Sequence, residues 1–219
     1  MGNWFAIFDW DGVIVDSSRP HEEAWNRLAR EEGRPVPAGF FPRSFGMKND
    51  KVIVELLTWT TEPQEIERLS ARKEQFFREI VTSGKKLAPL PGVTNFLDWL
   101  AAAQIPCALA SSTPRENILC IIETLGVDKF FQTMVCAEDV RHGKPDPEVF
   151  LLAAAKLHAP PSRCLVFEDA HVGIEAARKA GMKVIGLATT HPAKTLVGAD
   201  RVVNQLDELS VAELSSWFA

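Results

Sequence analysis

The sequence predicts an α/β fold: a parallel sheet covered by helices on both faces, with an all-helical segment inserted near its start. Three observations predict it. Beyond residue 91, short apolar runs alternate with helical patterns, and such alternation implies right-handed crossovers between parallel strands. Between residues 16 and 88 the patterns are helical and no strand pattern interrupts them. The first apolar run, at 4–8, has no partner nearby in sequence, so it should join the sheet formed by the later strands.

Residues 4–8 are apolar and aromatic and stop at Asp9, which suits a buried strand whose end releases polar residues into a loop. Three helical faces follow. Ala24, Trp25, Leu28 and Ala29 make the first; Val52, Ile53, Leu56 and Leu57 the second; Ile66, Leu69, Phe76, Phe77 and Ile80 the third. The third starts after Glu62-Pro63, where proline fits the first helical turn. The later strands are expected at 106–110, 133–137, 164–167, 184–187 and 201–203, with helices near 93–103, 114–126, 146–158 and 171–180. The expected division is therefore an α/β core made of 1–15 and 90–219, and a helical cap at 16–89. Its hinges lie near Asp16-Ser17-Ser18 and 87–91. Trp25, Trp59 and Trp99 fit apolar helical faces and are expected in the core.

Length and composition narrow the function. A chain of 219 residues makes one or two domains and buries a sizeable core without a disulfide or metal staple. The net charge of −5 argues against nucleic acid as a partner, because a polyphosphate backbone needs concentrated basic charge. No apolar run approaches the roughly eighteen residues of a membrane span, and acids interrupt the start before a signal-peptide core develops. Ala6 breaks the myristoylation pattern opened by Met1-Gly2. Cys107, Cys120, Cys136 and Cys164 form no C-x-x-C pair and read as structural thiols of a reducing cytoplasm. Residues 16–89 carry 13 Lys/Arg against 12 Asp/Glu, leaving 11 against 17 elsewhere. A core this acidic needs a cation if it handles an anionic substrate.

Ligands of open parallel sheets collect at the carboxyl ends of the strands. Those ends carry Asp9-Trp10-Asp11-Gly12, Ser111-Ser112-Thr113, Ala137-Glu138-Asp139 with Gly143-Lys144-Pro145-Asp146 beyond, and Glu168-Asp169. Clustered carboxylates suggest a hard cation with oxygen ligands, and magnesium is the commonest where a phosphate completes the shell. Lysine and hydroxyls donate to phosphate oxygens. In a D-x-D pair the two acids can divide the work: one stays ionised and attacks phosphorus, the other moves a proton. Strand alternation turns Trp10 away, and Gly12 permits the tight turn that brings backbone N–H groups to phosphoryl oxygens. Each motif also has a plain reading. The aspartates could form a turn, Ser111 or Glu168-Asp169 could cap helices, and Lys144 could be solvated.

FDWDGVIVD, ALASSTP, GKPDPEVF and FEDAHVGIEAA, in that order, resemble the four motifs of the haloacid dehalogenase (HAD)-like hydrolase superfamily. The helical insertion resembles its first cap type, and the likeness is greatest to the branch of β-phosphoglucomutase and sugar-phosphate phosphatases. The resemblance implies a Rossmann-like core, with Asp9 as nucleophile and Asp11 as general acid/base. It implies Ser111 and Lys144 on the phosphoryl group. Magnesium would be held by Asp9, the Asp11 carbonyl and Asp169, with Glu168 nearby or acting through water. The departing substrate would be a small phosphorylated metabolite, most simply a sugar phosphate, handled by a monomer or weak homodimer in the cytoplasm. Retention of Asp11 and Glu168-Asp169 disfavours carbon–halogen and phosphonate hydrolysis.

The insertion leaves choices open. His21 matches a position near the hinge in this branch, or is a helix-end histidine. Arg43, Lys48 and Asn49 lie in PRSFGMKND, where β-phosphoglucomutase carries an arginine for a second phosphate; the nearest alignment puts Asn49 there. Ser112 and Arg115 could contact substrate. A phosphomutase is the first alternative, and a non-catalytic receiver-like module the second.

Overall fold

The computed structural model describes residues 4–44, 46–83 and 87–219. The Met1-Gly2 pair, residue 45 of the PRSFGMKND loop and residues 84–86 before the second hinge lie outside the described residues. Six strands form one parallel sheet: β1 (Phe5–Phe8), β2 (Cys107–Ala110), β3 (Phe131–Val135), β4 (Cys164–Glu168), β5 (Lys183–Leu187) and β6 (Arg201–Val203), in the order β3-β2-β1-β4-β5-β6. The chain leaves β1 in one direction through β2 and β3, then crosses to the other side for β4. The crevice at that switch, outside the carboxyl ends of β1 and β4, is where such sheets place ligands.

Side chains alternate across β1, and each set meets a different layer. Ala6 and Phe8 join the core built with α5 (Val93–Ala102) and α6 (Arg115–Leu125); Ile7 joins that of α7 (Glu148–Lys156) and α8 (His171–Lys179). Phe8 stacks on Phe167 of β4 with centroids 4.4 Å apart, and Phe96 meets Phe167 edge-on at 5.4 Å. These apolar contacts fix the ends of β1 and β4 side by side. The last helix, α9 (Val211–Ser216), is capped by Ser210, which accepts from the Glu213 N–H.

Between β1 and β2 lie α1 (Ser18–Glu32), α2 (Phe40–Ser44), α3 (Asn49–Lys51) running on into a wide turn at Val52–Leu56, and α4 (Pro63–Ser83). Ala24, Trp25, Leu28 and Ala29 are the buried face of α1, as the periodicity requires. Helices α1 and α4 are cross-linked on their outer side by Arg68–Glu32 and Arg72–Glu31 pairs at 2.6–2.7 Å, and Arg34, just past α1, pairs with Glu65 at 3.0 Å. Partly exposed pairs of this kind contribute little stability each and chiefly set register. The two connecting segments run together: Val15 pairs with Pro89, and the Leu90 N–H donates to the Ile14 carbonyl at 2.9 Å.

Two expectations need correction. The third strand runs over Phe131–Val135, two residues earlier than its apolar run, and Ala137 begins a short turn of helix at Ala137–Asp139. As an edge strand paired only with β2, β3 tolerates an exposed Gln132 and a half-exposed Thr133, so hydrophobicity misplaced its start. Trp99 is 44% exposed rather than in the core. The buried stripe of α5 is Val93, Phe96, Leu97 and Leu100, and Trp99 sits beside it.

Candidate active site

The sheet ladder itself carries the first acid into place. Beyond the end of β1, the Asp9 N–H donates to the Phe167 carbonyl at 3.0 Å, holding Asp9 beside Glu168. Across β2, the Ser111 N–H donates to the Val135 carbonyl at 2.9 Å. Asp9, Ser111 and Glu168 are therefore fixed by strand pairing, and Asp169 follows β4 directly.

Lys144 is wholly buried at their centre, with Nζ 3.0 Å from Asp9 Oδ2 and 2.7 Å from Glu168 Oε1. Burial opposes its charge, but the two carboxylates outweigh burial and push the ammonium above the usual lysine range. Glu168 Oε2 accepts from the Ala170 N–H at 2.6 Å, so both of its oxygens are engaged. Its carboxylate leaves no room at Gly173, where a Cβ would lie 1.7 Å from Oε1. Gly12, at φ +75°, turns the chain tightly, and a Cβ there would meet Asp169 Oδ2 at 2.0 Å. Asp169 Oδ2 accepts from the Thr190 hydroxyl.

One oxygen each of Asp9 and Asp169 is different. Asp9 Oδ1 and Asp169 Oδ1 are buried and have no hydrogen-bond partner. Burial raises Asp9 to about 7 against the opposing pull of Lys144, with Glu168 and Asp11 adding to the rise. Burial, with Glu168 and Asp9, raises Asp169 well above the usual carboxylate range. Asp9, Glu168 and Asp169 offer oxygens all within 4.8 Å of one another. Three buried acids facing one lysine, with two oxygens unsatisfied, fit a hard divalent cation.

Asp11 is held on the opposite side of the turn. Its carboxylate accepts from the Ser17 and Thr113 hydroxyls and lies 3.4 Å from His21 Nε2. Burial raises its carboxyl, but His21, Ser17 and Thr113 outweigh that and bring it down to about 2. His21 stacks on Phe77, centroids 4.1 Å apart, and its Nδ1 is 2.7 Å from Lys73 Nζ. An ammonium has donors only, so Nδ1 is the acceptor and the imidazole proton sits on Nε2, facing Asp11.

A cavity enclosing about 520 Å³, its mouth included, opens between these groups and the inserted helices. Asp9, Asp11, Ser111, Ser112 and Thr113 form its floor; His21, Trp25, Phe41, Ser44, Asn49, Val52, Lys73 and Glu74 are among its walls. Asp9, Asp11, Ser111, Ser112, Lys144, Glu168, Asp169 and His21 thus come together. Ser112 donates to the Gly46 carbonyl at 2.9 Å and joins the β2 loop to the insertion. Three expected substrate contacts are not at the cavity. Arg115 is held by Asp139 at 2.5 Å, Lys48 donates to the Val140 carbonyl at 2.9 Å, and Arg43 is exposed on α2. A nearby carboxylate and carbonyl, invisible in the linear sequence, take up Arg115 and Lys48.

Ser17, Lys73, Glu74, Asn117 and Thr190 were missed, and Thr113, placed at a strand end, was given no role towards Asp11. For Lys73 a signal existed: it falls within the α4 stripe of Leu69, Phe76 and Phe77, a charge at a position where an apolar residue is expected. Thr190 carried no comparable signal.

A family model described as haloacid dehalogenase-like hydrolase matches residues 6–181. A 5-amino-6-(5-phospho-D-ribitylamino)uracil phosphatase of Arabidopsis thaliana is 40% identical over 95% of this chain, which spans 56% of that relative's length. A phosphorylated carbohydrates phosphatase of Thermotoga maritima is 33% identical, with 82% of each chain covered. Among solved structures, a β-phosphoglucomutase of Clostridium difficile superposes with a TM-score of 0.83 at 26% identity, covering 98% of this chain and 96% of that one. No helix among the described residues is long and apolar enough to cross a membrane.

Proposed function

The chain belongs to the haloacid dehalogenase-like hydrolase family, and from that premise we propose a magnesium-dependent phosphatase that hydrolyses a small sugar or polyol phosphate through a phosphorylated Asp9. The observation that carries the reading is the pair of acids on one turn. Asp9 is clamped to Lys144 with its other oxygen unsatisfied, while Asp11, two residues on, is poised against hydroxyls and His21 at the same cavity.

Asp9, Asp169 and the Asp11 carbonyl would hold magnesium, with Glu168 supporting them through Lys144 and Ala170. When bound, the cation offsets charge on the phosphoryl oxygens and on the acids. Lys144 and Ser111 steady the phosphoryl group, whose charge is the main obstacle in phosphoryl transfer. A carboxylate oxygen of Asp9 attacks phosphorus; the bond from phosphorus to the leaving oxygen breaks, and Asp11 gives that oxygen a proton. Water then attacks the phosphorylated Asp9 and passes a proton back to Asp11. Inorganic phosphate leaves and both acids are restored. Asp11 rests ionised, so it must take up a proton before the first step; the His21 Nε2–H, 3.4 Å away, and the Ser17 and Thr113 hydroxyls hold its carboxylate in position for that. We take residues 16–89 as a cap that closes over the core of 1–15 and 90–219, bending where Ile14-Val15 run beside Pro89-Leu90. A reducing cytoplasm suits Cys107, Cys136 and Cys164, whose buried thiols are each pushed up to about 12.

The test is phosphate release from a panel that includes 5-amino-6-(5-phospho-D-ribitylamino)uracil and a series of phosphorylated carbohydrates. Free phosphate supports the hydrolase. The likeness to β-phosphoglucomutase supports a second reading, a phosphomutase, which would conserve organic phosphate while moving it between hydroxyls. Failure to turn over any phosphomonoester would remove both.

A further inference from the structure

The roof of the cavity holds charges that the phosphoryl chemistry does not use. Lys73 and Glu74 are neighbours on α4, 2% and 5% exposed, and both line the cavity. Lys73 Nζ donates to Glu74 Oε1 at 2.9 Å. Asn49 Nδ2 donates to the same oxygen at 2.6 Å, and Asn117 Nδ2 to Oε2 at 2.5 Å. Arg78, which can only donate, reaches Asn117 Oδ1 at 3.1 Å and so fixes which way that amide faces.

Among the described residues, this half of the cavity leaves no positive charge unmatched. Asn49 has committed one N–H to Glu74 and keeps the other N–H and its carbonyl oxygen. Ser44 gives its hydroxyl proton to the Phe41 carbonyl and Ser112 gives its own to the Gly46 carbonyl, so both oxygens offer lone pairs. Among the described residues that line the cavity, Lys73 and His21 alone can be cationic. The Lys73 charge is matched by Glu74, and His21 accepts from Lys73 at Nδ1. Lys48 turns its ammonium to the Val140 carbonyl, and Arg43, exposed on α2, is not among the residues that line the cavity. The far half of the cavity is thus uncharged overall, rich in acceptors, and walled by Trp25 and Phe41.

We propose that this half selects monophosphates whose leaving group bears hydroxyl or amino donors, and excludes bisphosphates, with Glu74 as the residue that enforces the exclusion. The proposal rests on the phosphatase reading and deepens it. A sugar hydroxyl or amine donates to these acceptors and lays its C–H face on the aromatic wall. A second phosphate brings negative charge towards a buried carboxylate and finds no unmatched cation among the described residues that line the cavity. A phosphomutase that moves the phosphoryl group from Asp9 to a sugar monophosphate makes a bisphosphate and must hold both its phosphates. Among the described residues one anion site is built, at Lys144 and Ser111.

The test uses the full chain in excess magnesium, hydrolysing p-nitrophenyl phosphate. Matched competitors are glucose 6-phosphate against glucose 1,6-bisphosphate and fructose 1-phosphate against fructose 1,6-bisphosphate. In the wild type the monophosphate of each pair should inhibit at least about tenfold more tightly. Glu74→Gln should narrow the gap by about tenfold. Asn49→Arg, a change at a half-exposed position, should move it the same way if Glu74→Gln does not fold. Wild-type inhibition by bisphosphates as tight as by monophosphates, or a gap unmoved in a folded variant, overturns the selectivity and leaves the phosphatase reading standing. No hydrolysis of any phosphomonoester overturns the phosphatase reading and the selectivity with it.

Discussion

Replacing Lys144 with methionine removes the one cation buried among three acids. At a separation near 3 Å and an effective dielectric of about 20, each Lys144–carboxylate attraction is worth roughly 5 kcal/mol before desolvation is set against it. The variant does not lose all of this, because the stranded acids can protonate instead. Protonating one carboxyl of ordinary pKa near 4.3 at pH 7.5 costs about 4 kcal/mol. A loss of about 3–5 kcal/mol is therefore expected, in line with breaking a buried pair from one side. For a chain of this size that lowers Tm by roughly 6–20 °C. The loss has a direction in pH. In the variant the folded acids bind protons that the unfolded chain has released, so stability falls as pH rises by about 1.4 kcal/mol per unit for each extra proton held. The assay is urea unfolding of metal-free wild type and Lys144→Met at pH 5.5 and 8. A difference below 1 kcal/mol, or one that does not grow with pH, would refute the assignment of Lys144 as the charge centre.

Metal removal should abolish turnover, magnesium should restore it, and calcium should support it poorly because its larger, looser shell misplaces the nucleophile; full activity after exhaustive chelation would count against the mechanism. Because Asp9 is raised to about 7 without a cation, the folded metal-free protein holds a proton there between roughly pH 4 and 7 that the unfolded chain lacks, and its stability declines across that window. Magnesium should accordingly raise Tm more at pH 8 than at pH 5.5, as read by calorimetry. Gly173→Ala places a Cβ 1.7 Å from Glu168 Oε1, so it should displace that carboxylate, lower Tm and weaken the magnesium response together; an unchanged magnesium response would show that Glu168 does not support the site.

The core was legible because its signals are local. Short apolar runs that end in acids mark strands entering loops, and four of the five later strands fall within a residue or so of their runs. The D-x-D, serine and acidic-pair motifs sit directly at strand ends, where ladder pairing such as Asp9 to Phe167 places them, and the lysine motif follows in the loop after β3. The inserted segment was legible only as helices. Which charges reach the cavity depends on partners distant in sequence: Asp139 takes Arg115, the Val140 carbonyl takes Lys48, and Asn117 from α6 meets Glu74 from α4. Surface arginines and lysines look alike in a sequence, so it does not show that Arg43, Lys48 and Arg115 stand outside the cavity lining. The buried Lys73-Glu74 pair, at stripe positions of α4, was the readable exception.

The central claim is that Asp9 carries the phosphoryl group while Asp11 moves the proton. Rapid-quench labelling of Asp9→Asn and Asp11→Asn with an activated aryl phosphate tests it most directly. An aryl leaving group departs without a proton, so Asp11→Asn should form phosphoenzyme on Asp9 in a burst and then turn over slowly, with sugar phosphates slowed by a further ~10²–10⁴-fold. Asp9→Asn should take up no label. Label on another residue, turnover by Asp9→Asn, or an Asp11→Asn enzyme that shows no burst and loses aryl and sugar phosphates equally would contradict the account.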